Sequence, residues 1–388
     1  MDGSVRVGTV AGIPVVANWS LLVVFWLIAC GLATGGLPSA HPGYMENAYW
    51  AAGIATALLF YLALLAHELS HAIAARRRGI AVEGITLWLF GGVTRMSGEA
   101  TTPRDAFRVA VVGPAVSLSA AAVFAGVAFV LDTAGAPALL DGMAAWLARM
   151  NLILAAFNLI PAAPLDGGRI LQSFLWWRRG DHLSAAVSAA TAGRGMGYVL
   201  IALGLLQFSA GTGLGAVWLV FLGWFLLVAA RSEQLAAEAR LHLEGVRVAD
   251  VMTSDMVVAP GWVTIEAFLE DYGFRHPFSS FPVTRFDGSM GGLVTLNRLK
   301  EVPADQRRAM RVLDVATGIH EVPATHAEAS LLDIVGEMSR SADGRALVFD
   351  DGRLVGIVSP RDIAYALHRA ATPPDAARRT ARRSSAGE

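Results

Sequence analysis

From Asn47 to Ala66 the chain carries no charged side chain, and the next five residues are His67-Glu68-Leu69-Ser70-His71. A helix needs roughly twenty apolar residues to cross a bilayer, so this run reads as a membrane span that ends in a polar motif. Four-residue spacing stacks His67 and His71 on one helical face, where both imidazoles reach a single metal ion. Glu68 lies beside the first, suited to take a proton from a water that the ion activates rather than to bind the ion. The alternative is a pair of interfacial histidines hydrogen-bonded to backbone. Polar and ionisable groups at the end of a span are costly without a task, which favours the metal.

Other apolar runs follow the same rule. Val15–Ala33, Val109–Leu131 and Trp146–Leu165 are each long enough to span, and Gly195–Ala230 is long enough for two spans split at 207–215. With Asn47–Ala66 the expectation is six transmembrane helices. Composition agrees: 54% of residues are hydrophobic and 16% charged, with a mean hydropathy of +0.50, which excludes a wholly soluble protein. A net charge of −1 gives no basic footprint for nucleic acid. The single cysteine, Cys30, lies in an apolar run and has no internal partner for a disulfide.

Between spans two and three, Ile85 to Arg95 is β-like, with Gly91-Gly92 as the turn of a membrane-associated hairpin. Irregular backbone at this depth needs protein or a water-filled cavity around it, so the hairpin belongs beside the metal. Segments 76–108 and 169–194 are rich in arginine, whereas 35–46, 132–145 and 207–215 have none. The positive-inside rule makes the first group cytoplasmic, and an even number of spans then puts both termini there in a multi-pass cell-membrane protein.

A third ligand is expected, because hydrolytic zinc sites take three protein groups and leave one position open. Asp166, where span four breaks at Pro161 and Pro164, lies at the level of His67 and His71. Its other reading is a turn residue that accepts backbone N–H groups. Asn158 stands one turn before Pro161, where it either donates to a developing oxyanion or makes an interhelical hydrogen bond. Gly113-Pro114 and Ser117, in span three, fit close helix packing or a kink.

After Arg231 the chain becomes soluble in character. Residues 246–252 return as 310–316, Asp287-Gly288 as Asp351-Gly352, and Gly292–Thr295 as Gly356–Ser359, all at an offset of 64 residues. The domain plan is therefore a membrane unit at 1–231, a polar helical linker at 232–245, and α/β repeats at 246–309 and 310–371. A basic tail at 372–388 is expected to be disordered.

Taken together, these motifs resemble the site-2 protease family of intramembrane zinc metalloproteases that end in a tandem pair of CBS domains. His67 to His71 is similar to the family's HExxH, and Asn158-Leu-Ile-Pro161-Ala-Ala-Pro164-Leu-Asp166-Gly167 to its NxxPxxxxDG. The resemblance implies one Zn2+ per chain held by His67, His71 and Asp166, with Glu68 as general base and Asn158 in support. It further implies that Gly91 and Gly92 position an unwound substrate as an added strand. Substrates would be single-span membrane proteins such as anti-sigma factors or similar regulators. The CBS resemblance implies an adenine nucleotide at Ser359 and Asp362, or homodimerisation. In the first repeat the matching position is Arg298, which cannot accept hydrogen bonds from ribose hydroxyls. A CBS-regulated transporter and a catalytically idle scaffold are the competing readings.

Overall fold

The computed structural model describes residues 4–89, 91–211 and 214–371. The chain divides into two compact units, Met1–Ala237 and Glu238–Glu388. The tail at 372–388 lies outside the described residues.

The first unit opens with strands β1 (Ser4–Val10) and β2 (Ile13–Asn18), an antiparallel hairpin. Its two-residue turn has positive φ at both Ala11 and Gly12, the backbone twist that matches paired strands. Helix α1 (Ser20–Gly31) runs through a π-helical turn at Leu32–Gly36 into the short α2 (Leu37–Ala40). Helix α3 (Glu46–Arg76) carries the histidine motif in its last three turns. Strands β3 (Ala81–Trp88) and β4 (Gly91–Ser97) follow, giving a sheet of order β1-β2-β3-β4 with β2 and β3 parallel. Gly91 and Gly92 begin β4, opposite Trp88 and Leu87, instead of forming the turn.

Alternation along the strands puts Ile13, Val15, Ile85 and Leu87 on one face, which packs on Ala72 and its neighbours on α3. Arg76, in the last turn of α3, donates from Nη1 to the Ala11 carbonyl. The sheet thus clamps the helix end that bears the histidines.

Four long helices complete this unit: α4 (Pro103–Thr133), α5 (Ala138–Asn158), α7 (His182–Ser209) and α8 (Leu214–Leu243). Between α5 and α7 lies the shorter α6 (Asp166–Arg179). Among the described residues, six helical segments are long and apolar enough to cross a membrane. Their outward faces carry large apolar side chains, for example Val123, Phe129 and Val130 on α4, as a lipid-facing surface would. Several span bounds differ from expectation: span one starts at Ser20, because Val15 to Asn18 belong to β2, and span five starts at His182 rather than Gly195. Pro114 does not interrupt α4, since a membrane helix tolerates the one lost N–H bond when neighbours pack around it. Span four begins at Ala138 and ends at Asn158, ahead of both prolines, because its first turns carry Asp141, which charge counting excluded.

Helix α8 continues unbroken through the expected linker to Leu243. The second unit holds two sheets, one ordered β5 (Ala259–Pro260), β6 (Ser280–Thr284), β7 (Met290–Thr295), β8 (Thr317–Gly318), the other with β10 (Ala346–Asp350) between β11 (Arg353–Val358) and β9 (Ala324–Thr325). Each repeat has its own core, yet the leading segments are exchanged. Val248 packs in the core of the second repeat with Leu331 and Val358, while Val312 packs in that of the first with Ile265 and Phe281. A third cluster, with Leu293, Leu347 and Ile357, joins the two. The repeats are therefore one folding unit.

An ion pair reinforces that exchange. Arg298 Nε donates to Asp343 Oδ1 at 3.1 Å, Thr317 Oγ1 donates to Oδ2, and the Asp343 side chain is only 7% exposed. Removing Arg298 strands a nearly buried carboxylate, whereas the guanidinium, 35% exposed, still reaches water if Asp343 is removed. Arg298→Ala is expected to destabilise this unit by roughly 2–3 kcal/mol, and the Arg298→Ala/Asp343→Ala double variant by less than the two singles summed. Thermal melts of the four proteins check this, and strict additivity would show that the pair does not couple the repeats.

Candidate metal centre

The site is assembled from four elements. Helix α3 supplies His67, Glu68 and His71, all buried. The two Nε2 atoms are 3.3 Å apart, and Asp166 Oδ2 lies 3.2 Å from each. Metal–ligand bonds of about 2.0–2.1 Å in a tetrahedron place neighbouring ligand atoms about 3.3–3.4 Å apart, so these three form one face of such a polyhedron. Two imidazole lone pairs and a carboxylate oxygen converging in a buried space repel one another unless a cation lies among them. The donor set therefore fits zinc.

The far side of each ring is fixed. His71 Nδ1 lies 2.7 Å from the Val109 carbonyl, which can only accept, so Nδ1 carries the proton and Nε2 presents its lone pair. His67 Nδ1 lies 2.9 Å from Ser117 Oγ, a hydrogen bond that fixes the orientation of its ring. Both partners are on α4. Between them Gly113 faces the two rings, and a Cβ there would overlap Nε2 of His71 and press on Nε2 of His67. The missing side chain is what leaves room for an ion.

Asp166 is the first residue of α6 and is reached through the irregular segment 159–165. Gly167 and Gly168 press against the backbone of Leu159, Ile160, Ala162 and Ala163, where a Cβ would not fit. They fold that segment tightly enough to bring Asp166 to the histidines.

On the other side of Glu68 runs β4. Thr94 Oγ1 donates to Glu68 Oε2 at 2.9 Å and also lies 3.2 Å from the Glu68 carbonyl. At Gly92, on the same face of the strand, a Cβ would overlap Glu68 Cγ. Strand β4 thus holds the Glu68 carboxylate beside the three ligand atoms and outside their set.

Of the residues singled out in the sequence, His67, His71, Asp166, Glu68, Gly91 and Gly92 come together here. Asn158 does not join them: its Nδ2 donates to Leu154 O in its own helix, at 3.1 Å. Ser359 and Asp362 lie in the second unit at the start of helix α9 (Pro360–Ala371), where Asp362 accepts from Ser359 N, Ser359 Oγ and Thr253 Oγ1. Thr94 escaped the sequence reading, although the period of two along β4 puts it on the face of Gly92. Ser117 and Gly113 were legible only as packing residues.

Ser117→Ala is expected to weaken zinc binding about 10–100-fold, the usual cost of losing the group that orients a ligating histidine. Competition with a chelator of known affinity measures it, and Ser117→Thr, which keeps the hydroxyl, should restore most of the loss.

Comparison with known proteins bears on the same residues. The model for Peptidase family M50 matches residues 55–137 and 134–203, and that for the CBS domain matches 314–369. The zinc metalloprotease Rip3 of Mycobacterium tuberculosis is 45% identical over 365 residues, covering 94% of this chain and 93% of that protein. Zinc metalloprotease MJ0392 of Methanocaldococcus jannaschii is 27% identical over 95% of this chain and 97% of its own. Among solved structures, the site-2 protease of Methanocaldococcus jannaschii matches with 26% identity and a TM-score of 0.42, over 60% of this chain and 95% of that one. The chain belongs to peptidase family M50, the site-2 protease family of membrane zinc metalloendopeptidases, and carries a CBS domain at its C-terminal end.

Proposed function

We propose that this chain hydrolyses peptide bonds within or near the transmembrane segments of single-span membrane proteins. In this reading His67, His71 and Asp166 hold one zinc ion and Glu68 moves the proton. The observation that carries it is the triangle of two Nε2 atoms and one Oδ2, with 3.2–3.3 Å edges and Glu68 alongside. Zinc bound there supplies Lewis acidity toward water and toward the scissile carbonyl. Glu68, held by Thr94, accepts the proton of the attacking water and delivers it to the leaving amine. Val109 O fixes the proton of His71 on Nδ1, and Ser117 orients the His67 ring.

A helical substrate must unwind first, because its carbonyls are engaged within the helix. Strand β4 ends the sheet order, so an unwound segment can pair along it and regain the bonds it loses, with Gly92 leaving space beside Glu68 and Gly91 open on the other face. The geometry of Asn158 gives no support to a role in the chemistry. The arginine pattern places both termini and the CBS unit in the cytoplasm, where an adenine nucleotide at Ser359 and Asp362, or dimerisation through the CBS pair, would tune activity. A ribose would have to displace the Thr253 or Ser359 hydroxyl from Asp362, since these already fill much of its acceptor capacity. Anti-sigma factors and similar single-span regulators are the substrate class that this arrangement suits.

The test uses full-length protein in liposomes with a single-span reporter. Cleavage should stop on zinc removal by a chelator, return on adding zinc, and be absent in Asp166→Ala under both conditions. Cleavage that survives metal removal would overturn the reading.

A further inference from the structure

Away from the metal centre, a groove of about 650 Å³ opens between the α1–α2 segment and α5. Leu27, Leu32 and Trp146 supply apolar wall, and His41, Asp141 and Arg149 are the ionisable residues that line it. Part of one wall is the π-helical turn at Leu32–Gly36, an irregularity that proteins often keep for a functional site.

Arg149 lies about 16 Å into α5, inside a membrane span. It is exposed to the groove and makes no hydrogen bond or ion pair among the described residues. A guanidinium at that depth is stabilised by an anion, and its long stem lets it turn toward the nearer interface. Asp141, two turns earlier on the same helix and closer to that interface, likewise has no partner among the described residues. On α5, Asp141 lies nearest the interface, then Trp146, then Arg149, and on α1 Leu27 and Ile28 lie at the deep end of the groove, since His41 meets Gly142 at the other. An aminophospholipid presents the complementary order inward: ammonium, phosphate, acyl chain.

We propose that this groove binds one phospholipid with an ethanolamine headgroup, its phosphate on Arg149, its ammonium on Asp141 and an acyl chain on the Leu27–Ile28 side of the groove. A peptide is a poorer occupant. The walls are helical, so they offer no row of free backbone groups to an extended chain, whereas an acyl chain asks for none.

The experiment takes full-length, zinc-loaded protein in detergent and adds dioleoyl phosphatidylethanolamine or dioleoyl phosphatidylglycerol. Native mass spectrometry should show wild type retaining one phosphatidylethanolamine in preference to phosphatidylglycerol. Its Tm should rise by roughly 2–4 °C with the same lipid. Arg149→Met should lose both effects while keeping its zinc, which certifies its fold. Arg149→Lys should keep part of the binding, and Asp141→Asn should bind the two lipids alike. Equal retention of phosphatidylethanolamine by wild type and Arg149→Met, or no preference between the lipids in wild type, would overturn the proposal. Displacement of the lipid by a single-span peptide would also overturn it, by assigning the groove to a protein ligand.

Discussion

Glu68→Gln is expected to retain one zinc per chain and to cleave a single-span reporter at least about 10²–10⁴-fold more slowly than wild type. Glutamine keeps the shape of the side chain, and its amide can still face Thr94 on β4. It cannot accept the proton that the attacking water must lose, nor return it to the leaving amine. The three ligand atoms are untouched, so zinc content should not fall. In cells, membrane fragments with a single span should accumulate only in the variant and would name a substrate. Two other outcomes are informative. Full activity with zinc bound would remove Glu68 from the chemistry. Loss of zinc along with activity would show that Glu68 shapes the ligand set, and the proton-transfer role would then rest on nothing.

The spans and the candidate metal-binding triad were readable for one physical reason: both are patterns of strong constraint. A charge-free run near twenty residues has few places to go, and two histidines four apart on a helix converge whatever surrounds them. Asp166 was legible because a carboxylate where a span breaks needs compensation. What escaped the sequence lay in contacts between elements distant along the chain. Ser117 is fifty residues from the histidine it orients, and Thr94 reaches Glu68 only because β4 folds back along α3. Asn158, by contrast, was legible as unusual, and its one observed hydrogen bond is local. An asparagine in an apolar helix can satisfy its amide on its own backbone one turn away, as this one does on Leu154. The exchange of leading segments between the CBS repeats was also invisible, since a repeat offset says which segments are alike and not which core each one enters.

Gly113→Ala should abolish stoichiometric zinc binding, with affinity reduced about 100-fold or more, and proteolysis with it. By helix propensity alone the change is favourable, since alanine in a helix interior is about 0.8–1 kcal/mol better than glycine. Packing reverses the sign. The added Cβ would overlap His71 Nε2 and crowd His67 Nε2, the two atoms that must face the ion. Both rings are anchored on their other edge, to Val109 O and Ser117 Oγ, so neither can swing away without giving up that bond. A ligand displaced by about 1 Å is enough for a loss of this size. Gly126→Ala on the same helix is the matched control: a Cβ there meets nothing within 4 Å, so zinc and activity should be unchanged. If Gly113→Ala bound zinc as tightly as the control, the ion could not lie among these atoms, and the third ligand would have to be sought elsewhere. If only Gly113→Ala loses zinc while both variants melt at or above the wild-type apo protein, then the glycine is kept at a cost to helix stability for the space it leaves between two imidazoles.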